Sequence, residues 1–122
     1  MATVLTNAGK DITTNRIKGS GTEPNYVAWG TGAGTAAAAD TTLFTESAEA
    51  RVSGTSTRVT TSTTNDTYQV VGTITASATR AITNAGLFDA STSGNLFVKG
   101  DFSTINLASG DSIQFTIKVQ FS

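Results

Sequence analysis

The 122-residue chain has room for one domain and one real core, since a domain near this size buries roughly two-thirds of the surface its unfolded chain exposes. It has no cysteine and no histidine, so it cannot make disulfides, Cys-based zinc or Fe–S sites, or any Ser-His-Asp or Cys-His nucleophile. A formal net charge of -1 with pI near 5.1 argues against nucleic-acid binding, and no apolar run is long enough to span a membrane.

Leu5, Ala8, Ile12 and Arg16 recur at helical spacing, Thr6 is placed as an N-cap, and Gly19 and Gly21 are stop signals. This predicts a short amphipathic helix over Asn7–Ile17. Gly9 and the pair Thr13-Thr14 weaken it in isolation, so packing must hold it. The opening residues lack the basic and long apolar regions of a signal peptide, and with no cysteine the chain fits assembly in a reducing cytoplasm.

After Pro24, Tyr26-Val27-Ala28-Trp29 is a short aromatic strand that runs into a Gly/Ala-rich loop, residues 30–40. A helical turn is expected at Asp40–Phe44, capped by Asp40, with Leu43 and Phe44 anchoring the loop. From there the period is two. Glu49 to Thr63 reads as one strand, Thr64-Asn65-Asp66-Thr67 as a turn rather than a glycosylation site, and Tyr68 to Ala76 as the partner strand of a hairpin. Ala81–Phe88 and Leu96–Phe102 are strands flanking the polar turn at 90–95. In the last strand Ile113, Phe115, Ile117, Val119 and Phe121 alternate without a break against Ser112, Gln114, Thr116, Lys118 and Gln120. One of its faces is in a core, and the other is wet or in a contact. Short strands with turn signals between them, and no helical pattern after Phe44, predict one mainly β domain over residues 1–122. The expected fold is an antiparallel β-sandwich, jelly-roll-like, with the N-terminal helix or arm at 1–17.

The remaining residues offer little chemistry. The nine acids are scattered, most beside Gly, Asn, Ser or Thr, where carboxylates cap turns. Glu46 and Glu49 have the spacing of a possible acid pair, but a solvated pair at a strand entry is the simpler account. Gly30-Thr31-Gly32-Ala33-Gly34 departs from the dinucleotide fingerprint in spacing and has no helix behind it, so a flexible loop or a close backbone approach explains it better. Trp29, Tyr26 and Tyr68 could build a sugar platform, though a lone Trp ending an aromatic strand is more often core or a subunit anchor. No catalytic residue, metal ligand or cofactor is expected. Charged residues are 14% of the chain against about 25% in an average domain. Thr and Ser fill the surface instead, which suits a pleated sheet and costs less to desolvate in a contact.

Two stretches carry a likeness. One runs Leu5-Thr6-Asn7-Ala8-Gly9-Lys10-Asp11-Ile12 through Gly19-Ser20-Gly21-Thr22-Glu23-Pro24 to Val27-Ala28-Trp29-Gly30-Thr31-Gly32. The other runs Ile82-Thr83-Asn84-Ala85-Gly86-Leu87-Phe88-Asp89 through Gly94-Asn95-Leu96-Phe97 to Gly110-Asp111-Ser112-Ile113-Gln114-Phe115. Together they resemble small structural proteins of tailed bacteriophages, described as tail-fibre proteins or as capsid decoration (cement) proteins. The resemblance implies a virion component that acts by protein–protein contact. With no coiled-coil or repeat shaft in the chain, the expectation is a decoration protein on the capsid surface that binds the major capsid protein and copies of itself. A tail-fibre or receptor-binding module is the alternative. Met1 to Ile17 and Tyr26 to Asp40 are the expected intersubunit contacts. Both are rich in small residues and weakly self-sufficient, yet they carry Leu5, Ile12, Tyr26 and Trp29.

Overall fold

A computed structural model describes residues 2–122. In chain order it contains β1 (Thr3–Leu5), α1 (Asn7–Lys18), β2 (Tyr26–Gly30), β3 (Val52–Ser53), β4 (Thr55–Val59), β5 (Thr67–Thr75), β6 (Arg80–Phe88), β7 (Leu96–Leu107) and β8 (Ser112–Gln120). The strands form two antiparallel sheets, ordered β1-β7-β6-β2-β3 and β4-β5-β8. Their inner faces share one core, in which Val27, Trp29, Ile82, Leu87 and Phe97 of the first sheet meet Val70 and Ile74 of the second. The fold is the antiparallel sandwich with a short helix that the strand spacing implies.

Two edge-to-face aromatic pairs tie the sheets together: Trp29 with Phe115 at 6.2 Å between centroids, and Tyr68 with Phe97 at 6.0 Å. Gly72 lets the sheets close, because a Cβ there would stand 2.8 Å from Cγ2 of Val27.

Helix α1 starts at Thr6, whose hydroxyl accepts the Gly9 N–H at 2.8 Å and donates to the carbonyl of Leu96 on β7. It ends at Gly19 in the left-handed conformation (φ 91°), where the N–H groups of Gly19 and Ser20 cap the carbonyls of Arg16 and Asn15. Ile12 fixes the helix to the core. The periodicity of this segment is therefore a sound guide, displaced by one residue at the C-terminal end.

Four features differ from the sequence-based expectations. Residues 3–5 form a strand on β7, a segment too short to show a pattern. The expected strand over 49–63 breaks at Gly54, where the chain passes from one sheet to the other. The Gly54 N–H bonds to the Asn25 carbonyl at 2.8 Å, and a Cβ would run into Val70. Asp40–Phe44 is not helical, because the Asp40 carboxylate serves a local turn and a buried lysine instead. Strand β7 runs five residues past Phe102, with its exposed Ser103–Asn106 stretch carried by pairing to β6. Leu43 does anchor its loop, in a second cluster with Ala28, Phe88 and Leu96.

Candidate functional site

Several of the charged groups are bonded within the fold. Glu49 is buried next to Trp29. It accepts from Trp29 Nε1 (2.9 Å), Ser47 Oγ, Ser77 N–H (3.0 Å) and Oγ (2.8 Å), and Arg80 Nε (2.9 Å). Burial alone would raise its pKa, but these donors outweigh it and hold the carboxyl far below the usual range. Glu46 forms a two-pronged pair with Arg51 at 2.8 and 2.9 Å, and Arg51 also stacks on the ring of Phe88. The two glutamates thus have separate arginines and separate duties. Glu49 is a structural hub, not the solvated residue its spacing suggests.

Three further acids are used in the same way. Asp66 closes the β4–β5 hairpin by accepting N–H bonds from Thr63, Thr61 and Ser62, which keep it well below the ordinary carboxylate range. Asp101 accepts from the N–H groups of Ala36 and Ala2, which lower it in the same way. Asp40 is lowered by the N–H of Ala37 and by Lys99, whose buried ammonium also donates to the Thr42 carbonyl and lies 3.2 Å from the Phe44 ring centroid. Asn84, fully buried, holds both the N–H and the carbonyl of Phe44. Together these side chains clamp the 31–51 connection onto the first sheet. Nothing in the sequence marked Asn84 or Lys99 for this, since their partners are distant in the chain. Among the described residues no group of three or more acids is placed to hold a metal ion, and no helix is long and apolar enough to cross a membrane.

The glycine run at 30–34 makes a close approach within its own chain. Thr31 and Gly32 donate N–H bonds to the carbonyls of Thr45 and Phe44 at 3.0 and 2.9 Å, and a Cβ on Gly32 would meet Thr45 Oγ1 at 2.7 Å. The Thr31 and Gly32 amides are thereby bonded within the chain and not free to cradle a phosphate.

The four residues expected at intersubunit contacts fall close to the core. Ile12 is 4% exposed and Trp29 1%, so neither side chain presents surface to a neighbour in this fold. Leu5 is half-buried against the main core and Tyr26 against the smaller cluster. Burial also removes Trp29 from any sugar platform. Of the Met1–Ile17 segment, Met1 lies outside the described residues.

Two other surfaces remain open. One is an apolar cleft of about 310 Å³ between α1 and the C-terminal end of β8, with Pro24, Tyr68 and Phe97 in its walls. Its rim carries two of the exposed large apolar residues, Ile17 (83% exposed) and Phe121 (47%). The other is the outer edge of β8. Its inward residues Ile113, Phe115, Ile117 and Val119 pack on the core but stay partly exposed, and its outward residues are exposed. The two faces of this strand follow from its alternation, whereas its place at a sheet edge depends on the strand order.

A family model described as Podophage GP4 fiber I protein gp80 matches residues 1–119. No curated protein and no solved structure matches the chain.

Proposed function

The chain belongs to the podophage GP4 fiber I protein gp80 family, a family of phage fibre-type structural proteins, and we propose that within the virion it is a tail-associated fibre subunit that works by contact and not by turnover. The observation that carries this reading is the family match over nearly the whole chain. The described architecture agrees with it: Glu46, Glu49, Asp40, Asp66 and Asp101 are engaged within the fold, and the open surfaces are apolar or hydroxyl-rich. Such surfaces suit protein neighbours.

The fibre description favours the tail over the capsid-surface placement that the missing shaft argues for. A shaft need not be encoded in each chain, because compact subunits joined end to end reach any length. The partners on this reading are copies of the chain and adjoining tail subunits, rather than the major capsid protein. Antibody labelling of purified particles, with copy number from mass spectrometry, tests it. Label confined to the tail and a small copy number are expected. Label spread over the head, with copies in proportion to the shell, would overturn the tail assignment.

A further inference from the structure

We propose that the outer edge of β8 is a self-association site, where two copies pair antiparallel across a twofold axis at Thr116. The proposal rests on the reading of this chain as a subunit that acts by contact, and it names the surface.

Four strands stand at sheet edges. β3 has two residues, β1 three, β4 five with Arg58 among them, and β8 nine. Proteins usually blunt a long edge with a proline, a bulge or an inward-pointing charge. β8 has none of these: its register with β5 is unbroken from Thr67↔Gln120 to Thr75↔Ser112, and its one charge, Lys118, points outward.

The edge is also open. At one end of the ladder the Phe121 N–H bonds to the Asp66 carbonyl (2.9 Å), and at the other the Ala76 N–H bonds to the Asp111 carbonyl (2.8 Å). Backbone direction alternates along a strand, so odd-numbered residues of β8 face β5. The N–H and C=O groups of Ser112, Gln114, Thr116, Lys118 and Gln120 therefore point away from it. Among the described residues these groups have no backbone partner, since β8 pairs with β5 alone.

The occupant is argued from the sequence of the strand, which is self-complementary about its midpoint. With Thr116 opposite its own copy, Gln114 faces Lys118 and Ser112 faces Gln120. On the inner face Ile113 faces Val119 and Phe115 faces Ile117. This register uses all nine residues, sets apolar against apolar, and brings no like charges together. It would cover apolar residues that the monomer leaves partly exposed, and join two three-stranded sheets into one. Isologous contacts require this symmetry of pattern, and strand addition supplies the backbone bonds. Such a contact closes on itself, so it makes the building unit of a fibre and leaves other surfaces for extension.

The test uses the whole chain in solution, by sedimentation equilibrium and by crosslinking. A concentration-dependent dimer is expected. Thr116→Lys sets two cations opposite each other and should raise the dimer dissociation constant at least tenfold at low salt, with partial recovery at high salt. Gln114→Glu faces Lys118 of the second copy and should lower it several-fold. Hydrogen-bonded antiparallel pairs have Cα atoms about 5.5 Å apart, within disulfide reach. In a chain without cysteine, Thr116→Cys should therefore give a covalent dimer on mild oxidation, while Gln114→Cys, offset along the strand, should not. Circular dichroism of each variant establishes that it is folded. A strictly monomeric wild-type chain, an oligomer indifferent to folded Thr116→Lys, or equal crosslinking at 114 and 116 would each overturn the proposal. A chain found on the tail but monomeric in solution would reject the β8 contact and leave the fibre reading standing. A β8 dimer absent from tails would do the reverse.

Discussion

Gly9 sits in the first turn of α1, and glycine within a helix ordinarily costs about 0.5–1 kcal/mol relative to alanine. Propensity alone therefore predicts that Gly9→Ala stabilises the protein. The packing predicts the opposite sign. A Cβ at this position would overlap the Phe97 carbonyl oxygen and stand 2.9 Å from Cδ1 of Leu5. That carbonyl accepts the Thr6 N–H at 3.1 Å, so it cannot swing away without releasing the start of the helix. Gly9→Ala should destabilise by about 1–3 kcal/mol, the usual cost of overpacking, read as a lower urea midpoint at unchanged slope. An unchanged or raised midpoint would show that α1 can lift off β7 freely.

The helix and β1 are anchored as one element. Ala2 and Asp101 exchange bonds at 2.9 and 3.1 Å, the Asn7 N–H reaches the Ala38 carbonyl at 2.8 Å, and Ile12 enters the core. Ile12→Ala is expected to cost about 2–4 kcal/mol in chemical denaturation, as a cavity-forming substitution does. Removing residues 1–17 should abolish the cooperative transition, because Tyr68, Phe97 and Val98 lose their cover. A truncated chain that melts cooperatively would mean the arm is accessory. What the sequence discloses at this scale depends on how local the cause is. Thr6, the apolar spacing around Ile12 and Gly19 mark α1 because capping and periodicity act within a few residues. The alternation of β8 marks its faces for the same reason. The break at Gly54 is not legible, since a glycine in a Thr/Ser-rich strand looks the same whether or not the chain changes sheets. The expected turn at Asp40–Phe44 fails because Lys99, distant in sequence, takes Asp40 as its counter-ion. The β8 edge depends on sheet order, which is a property of the whole chain, so the alternation of Ile113 to Val119 shows the apolar face and not the unpaired backbone.

Across the whole molecule the titratable groups set the conditions under which such a subunit holds together. Four carboxyls, Asp40, Glu49, Asp66 and Asp101, are held below their ordinary values of 3.8 to 4.5, so the unfolded chain binds protons more readily than the folded one. Their contribution is complete above about pH 5 and is lost as pH falls through and below that ordinary range. Tyr68 acts in the other direction. Burial first, then Glu23, raises its phenol above the ordinary 10.0, so its share is complete below that value and is lost as pH rises beyond it. The chain has neither histidine nor cysteine, the two side-chain types whose ordinary pKa falls between these limits. The urea midpoint should therefore be flat from about pH 5 to 9, fall steadily in acid, and fall again in strong base. Glu49→Gln should shrink the acid limb, since it removes one of the depressed groups, while lowering the plateau through loss of the Arg80 pair. A midpoint that moves by more than the scatter of the measurement between pH 5 and 9, or an acid limb unchanged in Glu49→Gln, would show that these carboxyls do not govern the stability of the fold.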